Sequence, residues 1–342
     1  VPSTEFGLQP SPAPFFLAFS QCSGAGPVRL RDSRYNAGVN LSKPLPPPLV
    51  PGDGIGVWAP ASAPRWEEVE RGVEVLRRAG FVVKLAANVG TKTGYLAGSD
   101  GERLGGLSEL LDSGCKALWA VRGGYGVMRL LPAIPWEVLA GWVGFLIGYS
   151  DITALHAAAL ERLPYATIHG PMITSLGRSA EATARVLGFL QGQVPSVLFR
   201  FSQQKVLRAG VARGFLMGGN LSLLASLVGT PFEPPWAGAV VALEDVEEPG
   251  YRLDRMLTHL ALAGRWERVA AVVVGKMARC GRGEAGFREA WHRRLLEVVP
   301  EGCPVVVDLP FGHVRRNLAF PLGVGVVLDT EKGVLTMEGA CA

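Results

Sequence analysis

Cysteine is sparse in this sequence: Cys22, Cys115, Cys280, Cys303 and Cys341 lie far apart, with no C-x-x-C and no paired Cys/His spacing. That argues against a disulfide framework and a structural zinc site, and it suits a reducing, cytoplasmic compartment. The five histidines form no H-E-x-x-H, so no metal and no cofactor are expected. No apolar run reaches the roughly 18 residues of a membrane span, and "PFFLAF" near the start lacks the basic flank of a signal peptide. Charged residues make up 19% of the chain, with a net charge of only +4 and Lys and Arg scattered. A nucleic-acid partner is therefore not expected, whereas a small anionic substrate is compatible.

What is abundant is apolar surface, 48% of 342 residues, enough for two domains with sizeable cores. Residues 1–48 are rich in Pro, Gly and Ser and read as a flexible or polyproline-like leader. From 49 to 192, short apolar strands ("GIGVW", "FVVKLA", "KALWAV", "WVGFLIGY") alternate with helical patterns such as "RWEEVERGVEVLRRAG", whose Trp66, Val69, Val73 and Leu76 share a face. Strands apolar on both sides and separated by helices predict an α/β domain with a parallel sheet covered on both faces. From 193 to 342, closely spaced strand-like runs dominate. The two clear helices there are "YRLDRMLTHLALAG" and "GFREAWHRRLLEVV", which predicts a β-rich α+β domain.

Four strand exits carry residues that a core would not choose. "RGGYG" offers Arg122 and three glycines, among them Gly124, whose backbone can approach an anion closely; a plain turn is the ordinary alternative. "IGYSDI" presents Ser150 and Asp151 between a strand and a helix. This resembles a nucleophile elbow without the final glycine of G-x-S-x-G, although most such triplets are turns or helix caps. "LEDVEE" crowds four acids, of which Glu244 still follows the apolar pattern while Asp245, Glu247 and Glu248 read as exposed. "DLPFGHVRRN" places His313 after a strand, with His169 in "TIHGPM" as its rival. A serine is a poor nucleophile unless a histidine takes its proton and an acid orients that histidine. Spacing alone does not choose among the candidates.

Taken in order, "AVRGGYGVMRLLP", "IGYSDITAL", "HGPM", "GGNLSLLASLVGTPF", "LEDVEEPGYRLDRMLTHL" and "DLPFGHVRRNLAFPLG" resemble the LD-carboxypeptidase family of serine peptidases over roughly residues 52–340. The resemblance implies a flavodoxin-like N-terminal domain and a swivelling β-rich C-terminal domain. It also implies a triad of Ser150 as nucleophile, Glu244 as orienting acid and His313 as base. The amides of Gly124 and Asp151 would form the oxyanion hole, and Arg122 is a candidate for the substrate carboxylate. The implied activity is release of terminal D-Ala from murein tetrapeptide by a cytoplasmic homodimer acting on a small peptide. The microcin-immunity-type hydrolases, which cleave a peptidyl- or aminoacyl-nucleotide amide, share the triad and are the alternative. The leader and the stretch "KMARCGRGEAG" have no counterpart in the resemblance.

Overall fold

The computed structural model describes residues 42–339, so the leader expectation for residues 1–41 lies outside the described residues. Residues 42–48 are held along the folded body. Lys43 N donates to Gly323 O, Ala166 N to Pro44 O and Gly325 N to Ser42 Oγ. Prolines cannot donate but keep their carbonyls, so a proline-rich strip can still be fixed by donors from the body.

Five parallel strands run β1 (Gly54–Trp58), β2 (Val82–Leu85), β3 (Ala117–Ala120), β4 (Phe145–Gly148) and β5 (Thr167–His169). They lie side by side as β2-β1-β3-β4-β5, the strand order of flavodoxin-like folds. The covering helices are α1 (Trp66–Arg78), α2 (Asp100–Asp112), α3 (Val127–Leu130), α4 (Trp136–Trp142), α5 (Thr153–Arg162) and α6 (Ala180–Leu190). Helix α2 starts on a capping box, Ser99 Oγ accepting from Glu102 N and the Glu102 carboxylate from Ser99 N. In α1 the buried face is Val69, Gly72, Val73 and Leu76, while Trp66, expected on that face, is 47% exposed at the first helical position. Its indole instead donates to Glu70 Oε1, one turn on.

The second half builds a mixed sheet. Its strands are β6 (Val197–Arg200), β7 (Val206–Arg208), β8 (Val211–Asn220), β9 (Ala239–Val246), β10 (Ala271–Ala278) and β11 (Val305–Val306). After β12 (Phe320–Leu322), the strands β13 (Gly325–Asp329) and β14 (Val334–Met337) complete it, in the order β6-β14-β13-β8-β9-β10-β11-β7. Helices α7 (Leu221–Leu227), α8 (Gly250–Leu262) and α9 (Phe287–Val298) pack on it. The short α7 and α6 were not expected from the sequence. Each is capped by a side chain, Asn220 Oδ1 for α7 and Ser179 Oγ for α6, rather than announced by a long apolar stripe.

The two sheets do not follow the chain division at residue 192 strictly. Strand β12 leaves the second half and pairs antiparallel with β5, Phe320 opposite His169. Phe311, Phe320 and Phe199 then meet with ring centroids 5.0 to 5.6 Å apart, closing an aromatic core where the sheets adjoin. A second tie is the hydrogen bond from Asn220 N to Thr153 Oγ1 at 3.0 Å, which joins the end of β8 to the first turn of α5.

Candidate active site

Strand β4 is buried along its length and ends at Gly148. Ser150 follows with φ of 64°, a left-handed backbone that a non-glycine residue adopts only under constraint. The turn is fixed by its neighbours: Thr153 is tied to Asn220, and the buried Asp151 carboxylate accepts from Val127 N at 2.9 Å. Burial raises the Asp151 pKa to about 6. Ser150 is thereby held out from the strand end, and the ring of the preceding Tyr149 packs against His169 and His313.

Glu244 lies near the end of β9, a strand in the middle of its sheet and buried on both faces, so the carboxylate is 0% exposed. A buried carboxylate is costly unless it is paired. Its partner is His313, whose Nδ1 lies 2.6 Å from Glu244 Oε2, while His313 Nε2 lies 3.0 Å from Ser150 Oγ. Burial alone would depress the imidazole pKa, but the hydrogen bond and charge of Glu244 outweigh it and raise it above the ordinary 6.5. Tyr149 flanks the imidazole with ring centroids 5.0 Å apart. The loop reaches this place because Gly312, at φ 101°, passes directly over Glu244. A Cβ there would sit 2.8 Å from Glu244 Cβ, which accounts for the glycine of "FGH".

The glycine loop faces the same spot. A Cβ on Gly123 would meet Ser150 Oγ at 3.1 Å and the Asp151 amide nitrogen at 3.4 Å. Gly123 O accepts from Ser62 N, so across the trans peptide the Gly124 N–H points away from Ser62. Among the described residues that amide donates to no backbone carbonyl. The loop's far end is clamped by Arg103, which is 0% exposed and donates to Gly126 O at 2.9 Å and to Pro60 O. Nothing in the sequence marked Arg103, which sits in α2 among residues that read as a solvated face.

The rival histidine is elsewhere. His169 is fully buried, stacks on Phe320 at 4.6 Å, and neither ring nitrogen has a hydrogen-bond partner. Burial depresses its pKa well below the ordinary value, so it serves as a neutral core ring. Asp245, expected to be exposed, is 2% exposed. Strand β9 continues through it, and its carboxylate accepts from Asn220 Nδ2 and from the Ser222 N–H and hydroxyl at 2.8 to 2.9 Å. Arg122 is half-buried and donates to Ala63 O at 3.2 Å. A cleft of about 490 Å³ opens beside His313, but Arg122 is not among its lining residues; Arg178, Arg279 and Arg315 are. Among the described residues no group of His, Cys, Asp and Glu could hold a metal ion, and no helix is long and apolar enough to cross a membrane.

A strand-end serine facing a histidine that faces a buried acid is the arrangement of serine hydrolases. This chain belongs to the LD-carboxypeptidase family of peptidases: its N-terminal domain profile matches residues 55–170 and its C-terminal domain profile residues 213–328. A murein tetrapeptide carboxypeptidase of Pseudomonas aeruginosa is 33% identical over 307 residues, spanning 82% of this chain and 95% of that protein. The crystal structure of a muramoyltetrapeptide carboxypeptidase from Oxalobacter formigenes is 27% identical with a TM-score of 0.71, covering 83% of this chain and 97% of its own. The structure of the immunity protein MccF with glutamyl sulfamoyl guanosine has a TM-score of 0.75 at 23% identity, over 88% of this chain and 99% of its own. That last likeness is one of fold.

Proposed function

We propose that this protein is a serine LD-carboxypeptidase that hydrolyses the L,D amide releasing terminal D-Ala from murein tetrapeptide. The observation that carries the reading is the unbroken chain Ser150 Oγ, His313 Nε2, His313 Nδ1, Glu244 Oε2, with links of 3.0 and 2.6 Å at the edge of a cleft. The substrate rests on the family and on the named activity of the Pseudomonas relative.

In this reading Ser150 Oγ attacks the scissile carbonyl while His313 Nε2 takes its proton, and Glu244 holds the Nδ1–H tautomer and steadies the imidazolium. The Gly124 and Asp151 amides receive the oxyanion. Collapse breaks the C–N bond, and His313 returns the proton to the departing amine. Water then attacks the acyl-enzyme, with His313 again as base, and frees the tripeptide. The family resemblance further supports a cytoplasmic homodimer acting on a small peptide.

The test is mass spectrometry of free D-Ala after incubation with murein tetrapeptide, wild type against Ser150→Ala. Release by wild type alone is expected. Release by folded Ser150→Ala at a comparable rate refutes the nucleophile. Hydrolysis of an aminoacyl sulfamoyl nucleotide but not of the tetrapeptide would move the enzyme to the immunity-type alternative.

A further inference from the structure

We propose that the cleft beside His313 is the subsite for the free α-carboxylate of the departing C-terminal residue, bound by Arg315 on its rim and by the Asn317 side-chain amide on its floor. The proposal rests on the hydrolase reading above and specifies where the terminal residue sits.

Three observations point to it. The first is charge. Of the arginines lining the cleft, Arg178 is paired with Glu68 at 2.7 Å and Arg279 with Glu247 at 2.8 Å. Arg315 has no carboxylate partner among the described residues; its Nε donates to Arg178 O, which leaves the rest of the guanidinium for a ligand.

The second is an unmet donor. Asn317 is 3% exposed, and its Oδ1 accepts from Gly312 N at 3.0 Å. A backbone N–H can only donate, so the amide orientation is fixed and Nδ2 faces the other way. That nitrogen is buried without a hydrogen-bond partner, in a residue that lines the cleft. Buried donors are normally satisfied. A carboxylate oxygen would satisfy this one, and a carboxylate can take bonds from Arg315 as well.

The third is position. The cleft is lined by His313 and Tyr149, whereas Ser150 and the glycine loop are not among its lining residues. The nitrogen of His313 that faces Ser150 is the one that must protonate the leaving amine. In a C-terminal residue the α-carboxylate is attached to the carbon bearing that amine. An anion site touching His313 therefore reads a free terminus, and a substrate that continues as an amide brings no charge to it. This is a physical basis for exopeptidase selectivity.

The experiment compares kcat/KM for murein tetrapeptide with a free terminal carboxylate and with a terminal carboxamide, in wild type, Arg315→Met and Arg315→Lys. Arg315 is exposed, so its replacement should leave the fold intact. Wild type should prefer the acid by roughly 10²-fold, Arg315→Met should bring the acid-to-amide ratio to within a few-fold of one, and Arg315→Lys should restore part of it. An unchanged ratio in Arg315→Met overturns the subsite, as does an equal fall on both substrates. A second readout is binding of D-alanine itself to wild type and Arg315→Met by NMR titration. If wild type releases no D-Ala yet binds D-alanine through Arg315, the hydrolase reading falls and the subsite stands. If D-Ala is released but neither the ratio nor D-alanine binding responds to Arg315, the subsite falls alone.

Discussion

His313 Nε2 lies 3.0 Å from Ser150 Oγ although 163 residues separate them in the chain. The serine rides on a parallel sheet and the histidine on a loop next to a mixed one. Their meeting depends on β12 pairing with β5 and on the Asn220–Thr153 bond.

Glu244→Gln should lower turnover by roughly 10³–10⁴-fold without unfolding the protein, by analogy with the handling of Asp→Asn in the chymotrypsin triad. An amide donor facing Nδ1 favours the wrong tautomer and leaves the imidazolium unsupported. Steady-state rates with circular dichroism on the same samples check this, and a rate within tenfold of wild type would remove Glu244 from the triad.

Asp245→Asn should behave in the opposite way. The buried carboxylate takes three hydrogen bonds from Asn220 and Ser222 and touches none of the three reacting side chains. Loss of charge-assisted bonds at such a site costs about 1–3 kcal/mol. A lower denaturation midpoint, with turnover per folded molecule within about tenfold of wild type, is the expected pair of results.

The acid limb of kcat/KM should lie above pH 6.5, because His313 must be neutral to act as base and its pKa is raised by Glu244. Activity is lost as pH falls through that raised value. Asp245 supports the raised pKa and Arg279 opposes it. In Glu244→Gln the limb should move to lower pH as the residual rate drops, and a pH–rate profile of both proteins decides it.

Lys43 Nζ donates to Ala159 O and Leu163 O at the C-terminal end of α5, the helix that begins beside the nucleophile. Burial lowers its pKa to about 8. Lys43→Ala should destabilise the fold by about 1–3 kcal/mol, since two carbonyls lose their donor. Urea denaturation reads this out, and an unchanged midpoint would show that residues 42–48 lie on the body without supporting it.

Most of the parallel sheet was legible because its inner strands are apolar on both faces and helices such as α1 carry a single buried stripe, here Val69, Val73 and Leu76. Residues that act through contacts distant in sequence were not legible. Arg103 looks like a surface arginine until α2 turns it under the glycine loop, and Asp245 looks exposed until β9 proves to be a central strand. His169 closes a short strand and His313 follows one. Only the pairing of β5 with β12 buries the first, and only the passage of Gly312 over Glu244 brings the second to the serine. The arginines of the cleft come from three separate loops, and no local pattern joins them.

The left-handed backbone of Ser150 sets the nucleophile against the fold that carries it. Glycine is at ease at φ 64°, whereas a serine there is held by the surrounding ties. Ser150→Gly should therefore be inactive yet at least as stable as wild type, with a melting temperature equal or higher. Selection for a robust fold alone would then discard this serine, and only selection for turnover keeps it. A stabilised library screened by heat and not by activity should drift toward glycine at this position, shedding its chemistry as it gains in endurance.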